Sequence, residues 1–168
     1  RKNNLLANLF YLALKRYPSD KEHENLFLIY CYLNRQIKTY THAHDVLLYT
    51  KKLGINILAT NGIKKVQENK INNLSLRDAF DYIVILEDKE YQKPNPAKIL
   101  ELINTVNTSS KHITVIGDDP INDINLGKNL NAKTIRIKKG FFKDETTNLS
   151  DYEINELHEI FSILNKEV

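Results

Sequence analysis

The period of the hydrophobic positions changes once along this chain, near Gly54. Ahead of it, Leu5, Leu6, Leu9, Tyr11, Leu12 and Leu14 recur at near-helical spacing and predict a helix over residues 2–17. The stretch YPSD at 17–20 supplies a proline stop and then a candidate N-cap. A second helix is predicted over 23–38, rich in Leu, Ile and Tyr, and its tyrosines read as packing. A third runs over 43–53 and ends at Gly54, glycine being a common residue just past a helix C-terminus. Nothing in this first quarter alternates like a strand.

Beyond Gly54, four short β-branched runs appear: INILA from Ile55, YIVIL from Tyr82, ITVI from Ile113 and KTIRI from Lys133. Helical stretches at 63–72, 96–106 and 121–130 separate them. Strands alternating with helices in units of roughly 30 residues predict one parallel sheet covered on both faces. The first and third runs, and the second less clearly, are apolar enough to be buried on both sides. From Tyr152, the segment YEINELHEIFSIL carries Ile154, Leu157, Ile160, Phe161 and Leu164, the pattern of a closing amphipathic helix. The predicted architecture is a helical lobe over residues 1–42 followed by a doubly wound α/β domain over 43–168.

Composition narrows the function classes. With 168 residues, 42% of them hydrophobic, the chain can bury one sizeable core. The net charge is only +3 and the basic residues are scattered, which argues against a nucleic-acid partner. The longest apolar run, LFLIYCYL at 26–33, is far short of the roughly 20 residues of a membrane helix, so no membrane partner is expected. Cys31 is the single cysteine; no internal disulfide is possible, and a reducing, cytoplasmic setting is expected.

In open α/β sheets, ligands bind beyond the carboxyl ends of the strands. Three polar clusters share that rim. In LATNG, at 58–62, the Thr60 hydroxyl and the backbone amides near Asn61 and Gly62 can face an anion at a helix N-terminus, although Asn-Gly is also a common turn pair. In QKPNP, Pro94 and Pro96 constrain the segment that carries Lys93, with Pro96 suited to the first position of the next helix. In GDDPINDI, from Gly117, Asp118, Asp119 and Asp123 crowd one strand end. Crowded carboxylates call for a hard divalent cation such as Mg²⁺. The structural alternative has Asp119 capping the next helix and Asp123 pointing to solvent. His42 and His44, two residues apart, do not share a helix face and make a poor metal pair. Lys64 with Lys65, and Lys138 with Lys139, read as surface charge.

Taken in order, ATNG, KPNP and VIGDDPINDI resemble the second, third and fourth motifs of the haloacid dehalogenase-like (HAD) hydrolase superfamily. The likeness extends over LRDAFDYIVILEDKEYQKPNPAKILELI and over GKNLNAKTIRIKKG, and covers about residues 43–165. It implies a Rossmann-like core with an N-terminal helical cap, and a Mg²⁺-dependent phosphatase that hydrolyses a small phosphorylated metabolite through an aspartyl-phosphate. Carried over by motif, Thr60 binds the transferring phosphoryl oxygen, helped by the backbone at Asn61 and Gly62. Lys93 neutralises the phosphate and the nucleophile, Asp118 ligates Mg²⁺, and Asp123 orients a metal-bound water or supports Lys93. Asp119 has no role assigned by the resemblance.

One motif of the superfamily is not found in these residues: the Asp-x-Asp on the first core strand that supplies nucleophile and general acid. It is expected upstream of Arg1. Two other classes compete, a catalytically silent domain that binds a phosphorylated ligand or a protein partner, and a metal-independent dehalogenase. The three rim aspartates argue against the last.

Overall fold

The computed structural model describes residues 5–33, 37–106 and 112–165. It opens with a helical pair, α1 (Leu5–Leu14) and α2 (Asp20–Tyr32). α2 begins three residues earlier than its apolar pattern, because Ser19 and Glu22 form a capping box. The Ser19 hydroxyl accepts from the Glu22 amide and the Glu22 carboxylate accepts from the Ser19 amide. Arg16 adds a bidentate pair to Glu22, and the Arg16 and Ser19 donors together hold that carboxyl at about 2. The helix predicted to reach residue 38 ends at Tyr32: Leu33 is extended, residues 37 and 38 are not helical, and 34–36 lie outside the described residues.

The apolar residues of this pair do not all pack. Leu5, Leu9, Leu12 and Leu14 are exposed on α1, and Tyr11, Tyr17 and Tyr32 are exposed too, so the reading of the lobe's tyrosines as core is corrected. Among the described residues this pair packs chiefly on itself and, through α2, on α4 (Lys64–Asn73), which leaves much of its apolar surface uncovered.

α3 (Ala43–Leu53) leads into β1 (Ile57–Asn61), α4, β2 (Tyr82–Leu86) and α5 (Ala97–Thr105). Pro96, expected at the first helical position of α5, sits one place earlier as its N-cap. Then follow β3 (Thr114–Gly117), α6 (Asn125–Asn129), β4 (Lys133–Ile137), β5 (Tyr152–Ile154) and α7 (Glu159–Leu164). The predicted helix over 121–130 is real only in its second half. Pro120–Ile124 forms a wider, π-type turn that delivers Asp123 to the interior.

Every ladder is parallel, as predicted, but among the described residues there are two sheets, not one. β1 pairs with β2, and β3, β4 and β5 pair in that order. The closing helix predicted from Tyr152 is likewise corrected. Its first three residues are β5, paired with Ile135–Ile137, and only residues 159–164 are helical. The apolar pairs of a helix at i and i+3 also appear when a strand ends and a helix begins, so periodicity could not separate them.

Helices cover both faces. On one, Val46 of α3 and Ile160 of α7 meet Ile135, Ile137 and Ile154 of β4 and β5. On the other, Ile99 and Ile103 of α5 join Leu126, Leu130 and Ala132, with Ala59, Val84, Ile113 and Val115 packed beneath them. This second cluster spans both sheets and joins them. Gly127 allows the close contact, since a Cβ there would lie 2.3 Å from Thr134 Cγ2.

The expectation that β1 and β3 are buried on both sides is overturned. β1 is only partly buried throughout, and Ile116 of β3 is 38% exposed, whereas four of the five residues of β4 are buried. Among the described residues β1 and β3 each have a ladder partner on one side alone, while β4 has two.

Candidate active site

The carboxyl ends of β1 and β3, with the segment between β2 and α5, bring Thr60, Asn61, Lys93, Asp118 and Asp123 to one rim. Lys93 is the centre of the arrangement. Its Nζ donates to Asp123 Oδ1 at 2.6 Å and to the Ala59 carbonyl at 3.0 Å, with both charged side chains largely buried. Its backbone is clamped from the other side: Asn61 Oδ1 accepts from the Lys93 amide at 2.8 Å and Asn61 Nδ2 donates to the Lys93 carbonyl at 3.1 Å. The Asn61 side chain thereby fixes Lys93 to the end of β1, a contact the sequence did not signal.

Asp123 does not point to solvent. It is 8% exposed, its Oδ2 accepts from the Asp119 amide at 3.2 Å, and its Oδ1 holds Lys93. Gly117 makes this possible, because a Cβ at that position would lie 2.3 Å from Asp123 Oδ2. The glycine at the strand end therefore leaves room for a carboxylate of the next turn.

Asp119 is the cap of that turn. Its Oδ1 accepts from the Ile121 and Asn122 amides at 2.8 and 3.0 Å, and its Oδ2 from Asn122 Nδ2 at 2.6 Å. With those donors gathered, the carboxylate left facing the crevice is Asp118. It is half-buried, and burial foremost, then the negative charge of Asp123 and Asp119, pushes its pKa up, while Lys93 acts in the opposite direction. A carboxylate destabilised in this way is relieved by a cation with oxygen preference. The donor chemistry fits Mg²⁺. Among the described residues no group of three or more His, Cys, Asp or Glu side chains forms a cage by itself.

At β1, Thr60 sits half-buried beside Asn61. The Gly62 amide, expected to face an anion, instead donates to the Leu86 carbonyl at 3.1 Å and prolongs the β1–β2 pairing. Gly62 has φ +126°, a conformation that favours glycine, and packs on Gln67, whose Nε2 donates to the Asn61 carbonyl. Its part in the loop is conformational. Glu87, at the end of β2, accepts from the Lys64 amide at the start of α4 and stays out of the cluster.

Two further residues at the rim escaped the sequence reading. Arg136 is fully buried in β4 and donates to Glu153 and to the carbonyls of Phe142 and Glu145, tying down the loop that follows β4. A lone arginine inside an apolar run was the available signal. Tyr40, just ahead of α3, places its hydroxyl near Gly140 and Asp118 without any local motif.

The sequence profile of the haloacid dehalogenase-like hydrolases matches residues 10–137. The chain belongs to this family. Among its relatives, a glyceraldehyde 3-phosphate phosphatase of Pyrococcus furiosus is 30% identical over 129 residues, covering 74% of this chain and 54% of that protein. The pyrimidine 5'-nucleotidase PynA of Streptococcus pneumoniae is 26% identical over 170 residues, covering 99% of this chain and 72% of that protein. The chain thus spans about half the length of the first relative. In fold it is similar to the HAD hydrolase YfnB of Bacillus subtilis, crystallised with magnesium, with a TM-score of 0.75, 23% identity, and 95% of this chain and 70% of that one covered. Among the described residues no helix is long and apolar enough to cross a membrane.

Proposed function

We propose that the protein is a Mg²⁺-dependent phosphatase that hydrolyses a small phosphorylated metabolite through an aspartyl-phosphate. The observation that carries this reading is the convergence of a buried, doubly anchored ammonium (Lys93), a hydroxyl (Thr60) and a destabilised carboxylate (Asp118) at the ends of parallel strands. Phosphoryl transfer asks the protein mainly for positioning and neutralisation of charge, and these groups supply both.

In this reading the Thr60 hydroxyl holds a phosphoryl oxygen. Lys93, oriented by Asp123 and by the Asn61 clamp, offsets charge on the phosphoryl group and on the attacking carboxylate. Asp118 holds Mg²⁺, which when bound supplies positive charge beside the phosphoryl oxygens. The nucleophile is an aspartate of an Asp-x-Asp motif. A parallel strand carrying it is supported by the edges of β1 and β3 that have no ladder partner among the described residues and by the exposure of Ile116. Residues 1–42 then form part of a cap over the crevice. The names of the relatives, one acting on glyceraldehyde 3-phosphate and one on pyrimidine nucleotides, support a small phosphate monoester as substrate. The single buried cysteine, Cys31, accords with a cytoplasmic setting.

The test is hydrolysis of p-nitrophenyl phosphate by the full-length protein in Mg²⁺ and in EDTA. Metal-dependent turnover that disappears in Asp118→Asn is the expected result. Turnover that persists in EDTA, or none by intact protein, would overturn the proposal.

A further inference from the structure

Tyr40 lies outside every motif of the chain, yet three contacts hold it over the acidic strand end. Its carbonyl accepts from the Ala43 amide at 3.1 Å, which joins it by a tight turn to the start of α3. Its ring lies under Lys139, whose Nζ is 5.7 Å from the centroid. Lys139 is itself fixed by Glu156 at 2.6 Å, so the cation that sits on the ring is anchored from the opposite side. Finally, the ring points its hydroxyl at Gly140, where φ is +71° and no side chain intervenes.

Gly140 serves as a gauge of what surrounds it. A Cβ there would lie 3.3 Å from the Tyr40 hydroxyl and 3.1 Å from Asp118 Oδ2. The two oxygens flank one point and can be no farther apart than the sum of those distances, a gap that a single tetrahedral phosphoryl group spans. Among the described residues the hydroxyl makes no hydrogen bond, and Tyr40 is 51% exposed. A phenol whose ring pairs with Lys139 and whose hydroxyl lies beside the same bare glycine as a carboxylate suits an anion seated next to that carboxylate.

We infer that Tyr40 is a ligand-contacting residue whose hydroxyl donates a hydrogen bond to a phosphoryl oxygen of the phosphate monoester bound next to Asp118. The inference rests on the phosphatase reading above. It adds that the segment joining the helical pair to the core contributes directly to substrate binding, opposite Thr60 and Lys93.

Tyr40→Phe in the full-length protein removes only the hydroxyl and keeps the ring under Lys139. Two measurements are made in Mg²⁺: KM for p-nitrophenyl phosphate, and the Kd of inorganic phosphate by titration calorimetry. Loss of one bond to a charged oxygen predicts that both rise about 10- to 100-fold, with an unchanged thermal midpoint. An unchanged phosphate Kd overturns the inference, whatever happens to KM. A lowered thermal midpoint with proportionate losses in every parameter also overturns it, since that marks a purely structural tyrosine. If the wild-type protein binds phosphate, Tyr40→Phe weakens that binding and nothing is hydrolysed, the contact stands and the phosphatase reading falls. If wild type neither binds phosphate nor turns over, both fall.

Discussion

At the scale of single residues, the site depends on room as much as on charge. Gly117 has no Cβ, and Asp123 Oδ2 occupies the space one would need, 2.3 Å away. Gly117→Ala therefore displaces Asp123 from Lys93, and steady-state kinetics on p-nitrophenyl phosphate should show kcat/KM falling on the order of 10²-fold, the effect of misplacing a catalytic group by about an ångström. The Lys93–Asp123 pair gives a second prediction. Removing one member leaves a largely buried charge without its partner, so Lys93→Met should cost about 3–5 kcal/mol in urea unfolding. Adding Asp123→Leu to it should recover most of that stability and none of the activity. A double variant as unstable as Lys93→Met would show that the pair is not the seat of the effect. Lys93 and Asp123 were legible as chemistry from their motifs, and support of Lys93 by Asp123 was one of the two roles the resemblance implied, but the choice between them was not, because 30 residues, with α5 and β3 among them, separate the pair.

At the scale of elements, the segment ahead of β5 is held by hydrogen bonding to β4. Thr134, fully buried, donates to Asp151 through both its amide and its hydroxyl at 2.8 Å, and Lys128 reaches the other carboxylate oxygen at 2.7 Å. Burial pushes the Asp151 carboxyl up, but the bonds from Lys128 and Thr134 together outweigh it and hold the group below its ordinary value. A depressed carboxylate stabilises the fold above its unfolded pKa, about 3.9 for aspartate, and that contribution is lost as pH falls through the folded value. Asp151→Asn should accordingly lower stability at pH 7 by about 1 kcal/mol, since its amide oxygen can still accept from Thr134 and what is lost is the charge on those bonds and a Lys128 bridge screened by solvent. The deficit relative to wild type should shrink in unfolding curves taken at pH 3; a deficit independent of pH would sink this account. Asp119→Ala removes the cap of the turn before α6 and should cost about 1 kcal/mol by the same measurement.

At the scale of the whole molecule, a cation held at Asp118 as proposed would couple binding to folding. With Mg²⁺ at about 100 times its Kd, the full-length protein should gain about 2.7 kcal/mol, read as a rise in thermal midpoint that EDTA reverses and Asp118→Asn abolishes. An equal rise in Asp118→Asn would place the cation elsewhere. Taken by itself, the amino-acid order determined the helices ahead of Gly54, the parallel α/β class, and the three polar clusters at strand ends, because these follow from local period, capping and turn chemistry. Ser19, Gly54 and the YIVIL and KTIRI runs carry those signals within a few neighbours. Only the tertiary structure decided which strands are buried, that Tyr152–Ile154 is a strand paired to β4, and that Asn61 clamps Lys93. It alone decided that Asp119 caps the turn before α6, and that the Tyr40 hydroxyl and Asp118 come together beside Gly140. Each of these rests on contacts between residues distant in the chain, where the balance of desolvation, pairing and free volume is set by what else packs into the same space.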